Sequence, residues 1–101
     1  MKYIITESHF NQIIFRYLDI LVSDKDVSRI NPYIIIQEPN QLEYEIYDVI
    51  MEYDYSDGRL FVSKGMMNLL SNNFNLGEEP TKNFISKWFE DRYGVNVKFV
   101  E

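Results

Sequence analysis

Met51-Glu52-Tyr53-Asp54-Tyr55-Ser56-Asp57-Gly58-Arg59-Leu60-Phe61-Val62 is the stretch whose reading decides the fold. Asp-Gly between two apolar runs marks a two-residue type I′ hairpin loop, because both loop positions need positive φ and these residues tolerate it. A turn is therefore expected at Asp57-Gly58, pairing Tyr55 with Leu60 and Tyr53 with Val62. Upstream, residues 41–55 read as one long strand. Leu42, Tyr44 and Ile46 share one face and Glu43 and Glu45 the other, whereas farther on Val49, Met51, Tyr53 and Tyr55 carry the apolar phase. The alternation switches near Tyr47-Asp48, which predicts a β-bulge or bend there.

Working outward, Ile34-Ile35-Ile36 between Pro32 and Pro39 predicts a short strand over 33–37. Ser63 is placed to cap a helix over 64–73 with Met66, Met67, Leu69 and Leu70 inward, stopped by Ser71-Asn72-Asn73. After a loop through Gly77, Pro80 suits the first turn of a last helix and Gly94 its C′ position. Phe84, Ile85, Trp88, Phe89 and Tyr93 form that helix's apolar stripe. Residues 95–100 alternate and predict a final strand with Val95, Val97 and Phe99 on one face. At the other end, residues 2–5 suggest a short extended piece and Thr6 an N-cap, with Glu7 favourably placed in the first helical turn. Phe10, Ile13, Ile14, Tyr17, Leu18 and Leu21 keep the helical period over 7–22, and a polar turn at 23–26 ends it. The element order is (β)-α-β-β-β-α-α-β. This is an α+β chain: one small domain over 1–101, with a mainly antiparallel sheet of three to five strands packed by two to three helices.

The chain has 101 residues, 46% hydrophobic and 16% aromatic, ample for a core and unlike a disordered segment. It contains no Cys, so neither disulfides nor thiolate metal sites hold it, which fits a reducing cytosol. No signal-peptide core or membrane-length apolar run is visible, and a cytoplasmic location is expected. The net charge is −6, but Glu38, Glu43, Glu45, Asp48, Glu52, Asp54 and Asp57 lie in a segment without Lys or Arg. The rest is almost balanced, with ten bases against nine acids. No basic cluster exists to bind a phosphate backbone or an anionic membrane, which argues against both as partners.

Catalytic signatures are sparse. His9 is the single histidine and has no acid three or four residues away within its helix, and no G-x-S-x-G elbow occurs. It is read as structural or surface-lying. Glu43 with Glu45, and Glu52 with Asp54, are two apart on a strand, hence on one face and ~7 Å apart. Paired carboxylates can bind a divalent cation or divide acid and base roles, but they also serve as a solvated face that discourages sheet-edge aggregation. Asp24-Lys25-Asp26 imitates the start of a calcium loop, yet its required Gly and Glu would fall on Arg29 and Ile35. The four glycines form no phosphate-cradling loop, and Trp88 belongs to the core stripe.

What remains is a segment where acids alternate with Tyr44, Tyr47, Tyr53 and Tyr55, of which one or two rings are expected to be exposed. Tyrosine supplies large contact area at low entropic cost. The expectation is a protein-interaction domain whose contact residues are Glu43, Glu45, Tyr47, Glu52, Tyr53, Asp54 and Tyr55, steered toward a basic protein surface. An acidic decoy for a nucleic-acid-binding site is one form of this. Self-association through a sheet edge is another. No catalytic residue, metal ligand, cofactor or small-molecule ligand is assigned. The alternatives are a carboxylate-based or divalent-metal enzyme, a homo-oligomeric structural module, and a winged-helix DNA binder using the Asp57-Gly58 hairpin as its wing.

The opening Met1-Lys2-Tyr3-Ile4-Ile5-Thr6-Glu7-Ser8 resembles the start of many short, uncharacterised phage and environmental viral proteins, as does the ending from Trp88-Phe89 to Val97-Lys98-Phe99-Val100. The resemblance covers roughly 20 residues at the start and roughly 15 at the end. It implies expression in an infected host's cytoplasm, and no activity or site residue.

Overall fold

The computed structural model describes residues 7–38 and 49–101, with only the backbone of Glu7 and Ser8. The expected strand over 2–5, the Thr6 cap, residues 41–48 of the long strand and its phase switch at Tyr47-Asp48 lie outside the described residues.

Helix α1 (Glu7–Val22) buries Ile14, Leu18 and Val22 at four-residue spacing with Phe10, Tyr17 and Leu21 packed beside them, but Ile13 faces solvent, correcting its place in the expected stripe. Ser23 and Lys25 close its last turn by bonding back to Ile20 and Val22. The chain then forms a hairpin of β1 (Asp26–Ile30) and β2 (Tyr33–Gln37), joined at Asn31-Pro32, whose peptide is cis as in a type VI turn. β1 is a strand the sequence does not announce; it is added to the expected order.

Strand β3 (Val49–Asp54) pairs antiparallel with β2, and β4 (Arg59–Val62) pairs antiparallel with β3. Ile36 faces Met51 while Gln37 faces Val49, so Ile50 is an extra residue on β3. This bulge explains why Val49, Ile50 and Met51 are buried in succession. The β3–β4 turn corrects the expected register. Tyr53 pairs with Leu60 and Met51 with Val62, leaving Tyr55-Ser56-Asp57-Gly58 as a four-residue loop. The cause is Asp54, whose carboxylate accepts the Ser56 backbone N–H at 2.9 Å and its hydroxyl at 2.6 Å. These bonds start the turn two residues early. Gly58, at φ 73°, supplies the left-handed residue, and its N–H bonds to the Asp54 carbonyl at 2.9 Å.

Ser63 caps α2 (Lys64–Phe74) as expected, its hydroxyl accepting from the Met66 N–H at 3.2 Å. Met66 and Leu70 are buried and Met67 is partly so, but Leu69 faces solvent, correcting its inward assignment. Asn75 ends α2 in the left-handed region. Helix α3 (Glu78–Tyr93) begins at Gly77, holds Pro80 in its first turn and stops at Gly94, at φ 66°. Its stripe packs as predicted, with Ile85, Trp88 and Phe89 buried and Phe84 and Tyr93 at the margin. The Trp88 indole N–H is satisfied by Asp19 on α1 at 2.9 Å.

The final strand is shorter than expected. β5 is only Phe99–Val100, parallel to β4. Residues before it bond outside any ladder: Val97 N–H donates to Glu90 at 2.9 Å, and the Asn96 carbonyl accepts from the Tyr53 hydroxyl at 2.7 Å. This shifts the phase, so Val95, Val97 and Val100 lean on the core while Phe99 points away from it. The result is the expected α+β fold: a five-stranded, mostly antiparallel sheet in the order β1-β2-β3-β4-β5, with three helices. One apolar cluster joins the helices to Ile34, Ile36, Met51, Tyr53, Leu60 and Val62, so the helices pack against one face of the sheet.

Candidate functional site: the sheet face opposite the helices

Strand alternation assigns the other face residue by residue. One row crosses all five strands as Ile30, Tyr33, Asp54, Arg59 and Phe99, each paired with the next. A second row runs Ser28, Ile35, Glu52 and Phe61. Four inter-strand gaps make the first row about 19 Å long. Among the described residues no helix packs on this face.

An antiparallel sheet can leave one face to water, and that face is then normally polar. Here it is mixed. Ile30 is 64% exposed, Phe99 49%, and Tyr33 and Phe61 37% each, while Ile35 is buried although it lies outside the main core cluster. These apolar groups flank a charged centre on β3 and β4. Arg59 reaches Asp57 at 3.8 Å and Glu101 at 3.5 Å, both exposed pairs of the kind that add little stability. Bonds from Ser56 hold the Asp54 carboxyl below its usual range, keeping it ionised. Among the described residues Glu52 makes no ion pair. The acids Glu52 and Asp54 therefore share one face, as the two-residue spacing required.

Glu43, Glu45 and Tyr47 lie outside the described residues. Tyr53 does not belong with the exposed set: it is 4% exposed, pairs with Ile34 and Leu60, and packs its ring on Phe89 at 5.6 Å. Its burial raises the phenol pKa, with Tyr55 and Glu90 adding to the effect. Tyr55 continues the helix side beyond the end of β3, half exposed and edge-on to Tyr53 at 5.2 Å. Glu38 is tied to Lys25 at 3.2 Å, a contact that raises the lysine pKa. Of the expected contact residues that are described, Glu52 and Asp54 lie on the face opposite the helices. Of the apolar members, Ile30, Tyr33 and Phe99 come from strands that the sequence does not connect to β3, whereas Phe61 lies on its expected hairpin partner. Phe61 was open to detection, since it alternates with Leu60 and Val62.

A groove of about 740 Å³ adjoins Phe61, lined also by Met67, Leu76, Lys64 and Lys82. Its charges are balanced by Glu78 and Glu101, and Lys82 is already paired with Glu78 at 3.4 Å. Among the described residues there is no group of three acids or histidines able to hold a metal ion, and no helix long and apolar enough to cross a membrane. No protein family, curated protein or solved structure matches the chain.

Proposed function

We propose that this chain is a protein-interaction module whose contact surface is the sheet face opposite the helices. The observation that carries the reading is the set of exposed apolar side chains, Ile30, Tyr33, Phe61 and Phe99, around the charged centre of Glu52, Asp54 and Arg59. An apolar patch interleaved with a few oriented charges has the make-up of an interface: the apolar groups supply area and the charges set register and partner choice. The face can act without any conformational change, because β2, β3, β4 and β5 are anchored by their other side to the core and β1 is held by its pairing with β2. Contact then requires only that a partner lie flat across the strands.

The test uses the intact chain immobilised through its N-terminus. Proteins retained by the wild type are compared with those retained by a Glu52→Lys, Phe61→Asp double variant. Both positions lie outside the core cluster, so circular dichroism is expected to be unchanged. Loss of the bound proteins from the variant is the expected result. Retention of all of them by a folded variant would show that contact is made elsewhere.

A further inference from the structure

We infer that the exposed first row of the sheet face opposite the helices is occupied by a second copy of this chain, packed sheet against sheet. The inference rests on the reading of that face as a contact surface and adds the identity of the partner.

The argument is the order of chemistry along the first row. From β2 to β5 it runs Tyr33, Asp54, Arg59, Phe99: aromatic, acid, base, aromatic. Two sheets in face-to-face contact pack about 10 Å apart with strands roughly aligned. A two-fold axis along the strands, midway between β3 and β4, reverses the row and lays it on itself. Asp54 then meets Arg59 of the second copy, Tyr33 meets Phe99 of the second copy, and symmetry makes each contact twice. An axis over β3 would instead set Asp54 on Asp54 and Glu52 on Glu52, which like-charge repulsion disfavours. The complementary register is therefore selected by charge. This row lies at the end of the sheet away from Gln37 and Val49, where Phe99 and Tyr33 are exposed, Arg59 makes long surface pairs with Asp57 and Glu101, and the Ser56 bonds to Asp54 use one of its two carboxylate oxygens.

Charge also separates this occupant from a basic partner. Each chain carries −6. Two copies repel at a distance, and added salt screens that repulsion more than it weakens contacts already buried. Self-association is expected to strengthen with salt, whereas binding to a basic partner weakens.

Sedimentation equilibrium of the purified full chain tests this from about 10 µM to about 1 mM, a range suited to a small interface. The expected result is a reversible dimer, more populated at high salt. Arg59→Glu should raise the dissociation constant by about tenfold or more. Asp54→Lys should do the same, and the two together should restore the dimer by exchanging the charges. Because Asp54 also holds the turn at Ser56, Phe99→Asp serves as the second variant, at a position outside the core cluster. A monomer throughout the range, or a dimer indifferent to Arg59→Glu and Phe99→Asp, overturns the inference. If the chain is monomeric but Phe99→Asp still abolishes capture of another protein, only the second-copy occupant fails. If neither association nor capture responds, the contact-surface reading fails with it.

Discussion

Tyr53 shows how one side chain couples the sheet to the chain's last segment. Its ring sits between Phe89 and Tyr55, and its hydroxyl reaches the carbonyl of Asn96, 43 residues away. That bond replaces a ladder contact that residues 95–97 do not make. Tyr53→Phe keeps the ring and removes the donor, so a loss of about 0.5–1.5 kcal/mol in urea unfolding is expected. The pH dependence follows from the raised phenol. The folded protein holds this proton to higher pH than the unfolded chain, whose phenol titrates near the ordinary value of 10.0. The associated stability is fully present below that pH and is lost as pH rises through the folded value. Tyr93 is shifted the same way by its own burial. The variant should therefore show a shallower alkaline loss of stability than the wild type, and an identical slope would remove Tyr53 from this account.

Among the elements, α2 depends on the strand before it. The bulge at Ile50 brings its carbonyl to the Ser63 N–H at 2.8 Å, and the Ser63 side chain then caps the helix. Ser63→Ala should destabilise the protein by about 1 kcal/mol, while Ser63→Asp should keep most of the cap. Equal losses in both variants would mean that the hydroxyl's bond to Met66 contributes nothing. Such local devices are why the helices were legible in the sequence: cap, period and Gly94 lie within one stretch of chain. β1 was not legible, because Asp26-Val27-Ser28-Arg29-Ile30 has only two apolar side chains, both exposed. It is a strand through pairing with β2, and its one local hint was the Asn-Pro turn. The hairpin after β3 was placed correctly and registered wrongly, since Asp54 competes through its side chain with the Asp57-Gly58 signal. The candidate site was legible only in part. Alternation put Glu52 with Asp54, while Phe61, opposite Leu60 and Val62, is absent from the expected contact set. Which of those faces meets the helices is decided by the assembled sheet, where the row of Leu60, Val62, Met51 and Tyr53 buries more apolar surface.

On the scale of the whole molecule, three helices pack on one side of five strands, and among the described residues no helix packs on the other. The described acids of the segment take separate roles: Glu38 pairs with Lys25, Asp54 and Asp57 shape a turn, and Glu52 stands on the face opposite the helices. The central claim is that this face, and not the helical surface, is where the molecule is touched. Site-specific photo-crosslinking in the expressing cell tests it most directly, with p-benzoylphenylalanine placed at Phe61, at Phe99, or at Ile20, an exposed apolar residue of α1. The account predicts protein adducts from positions 61 and 99 and none from position 20. Adducts from position 20 with none from 61 or 99 would contradict it.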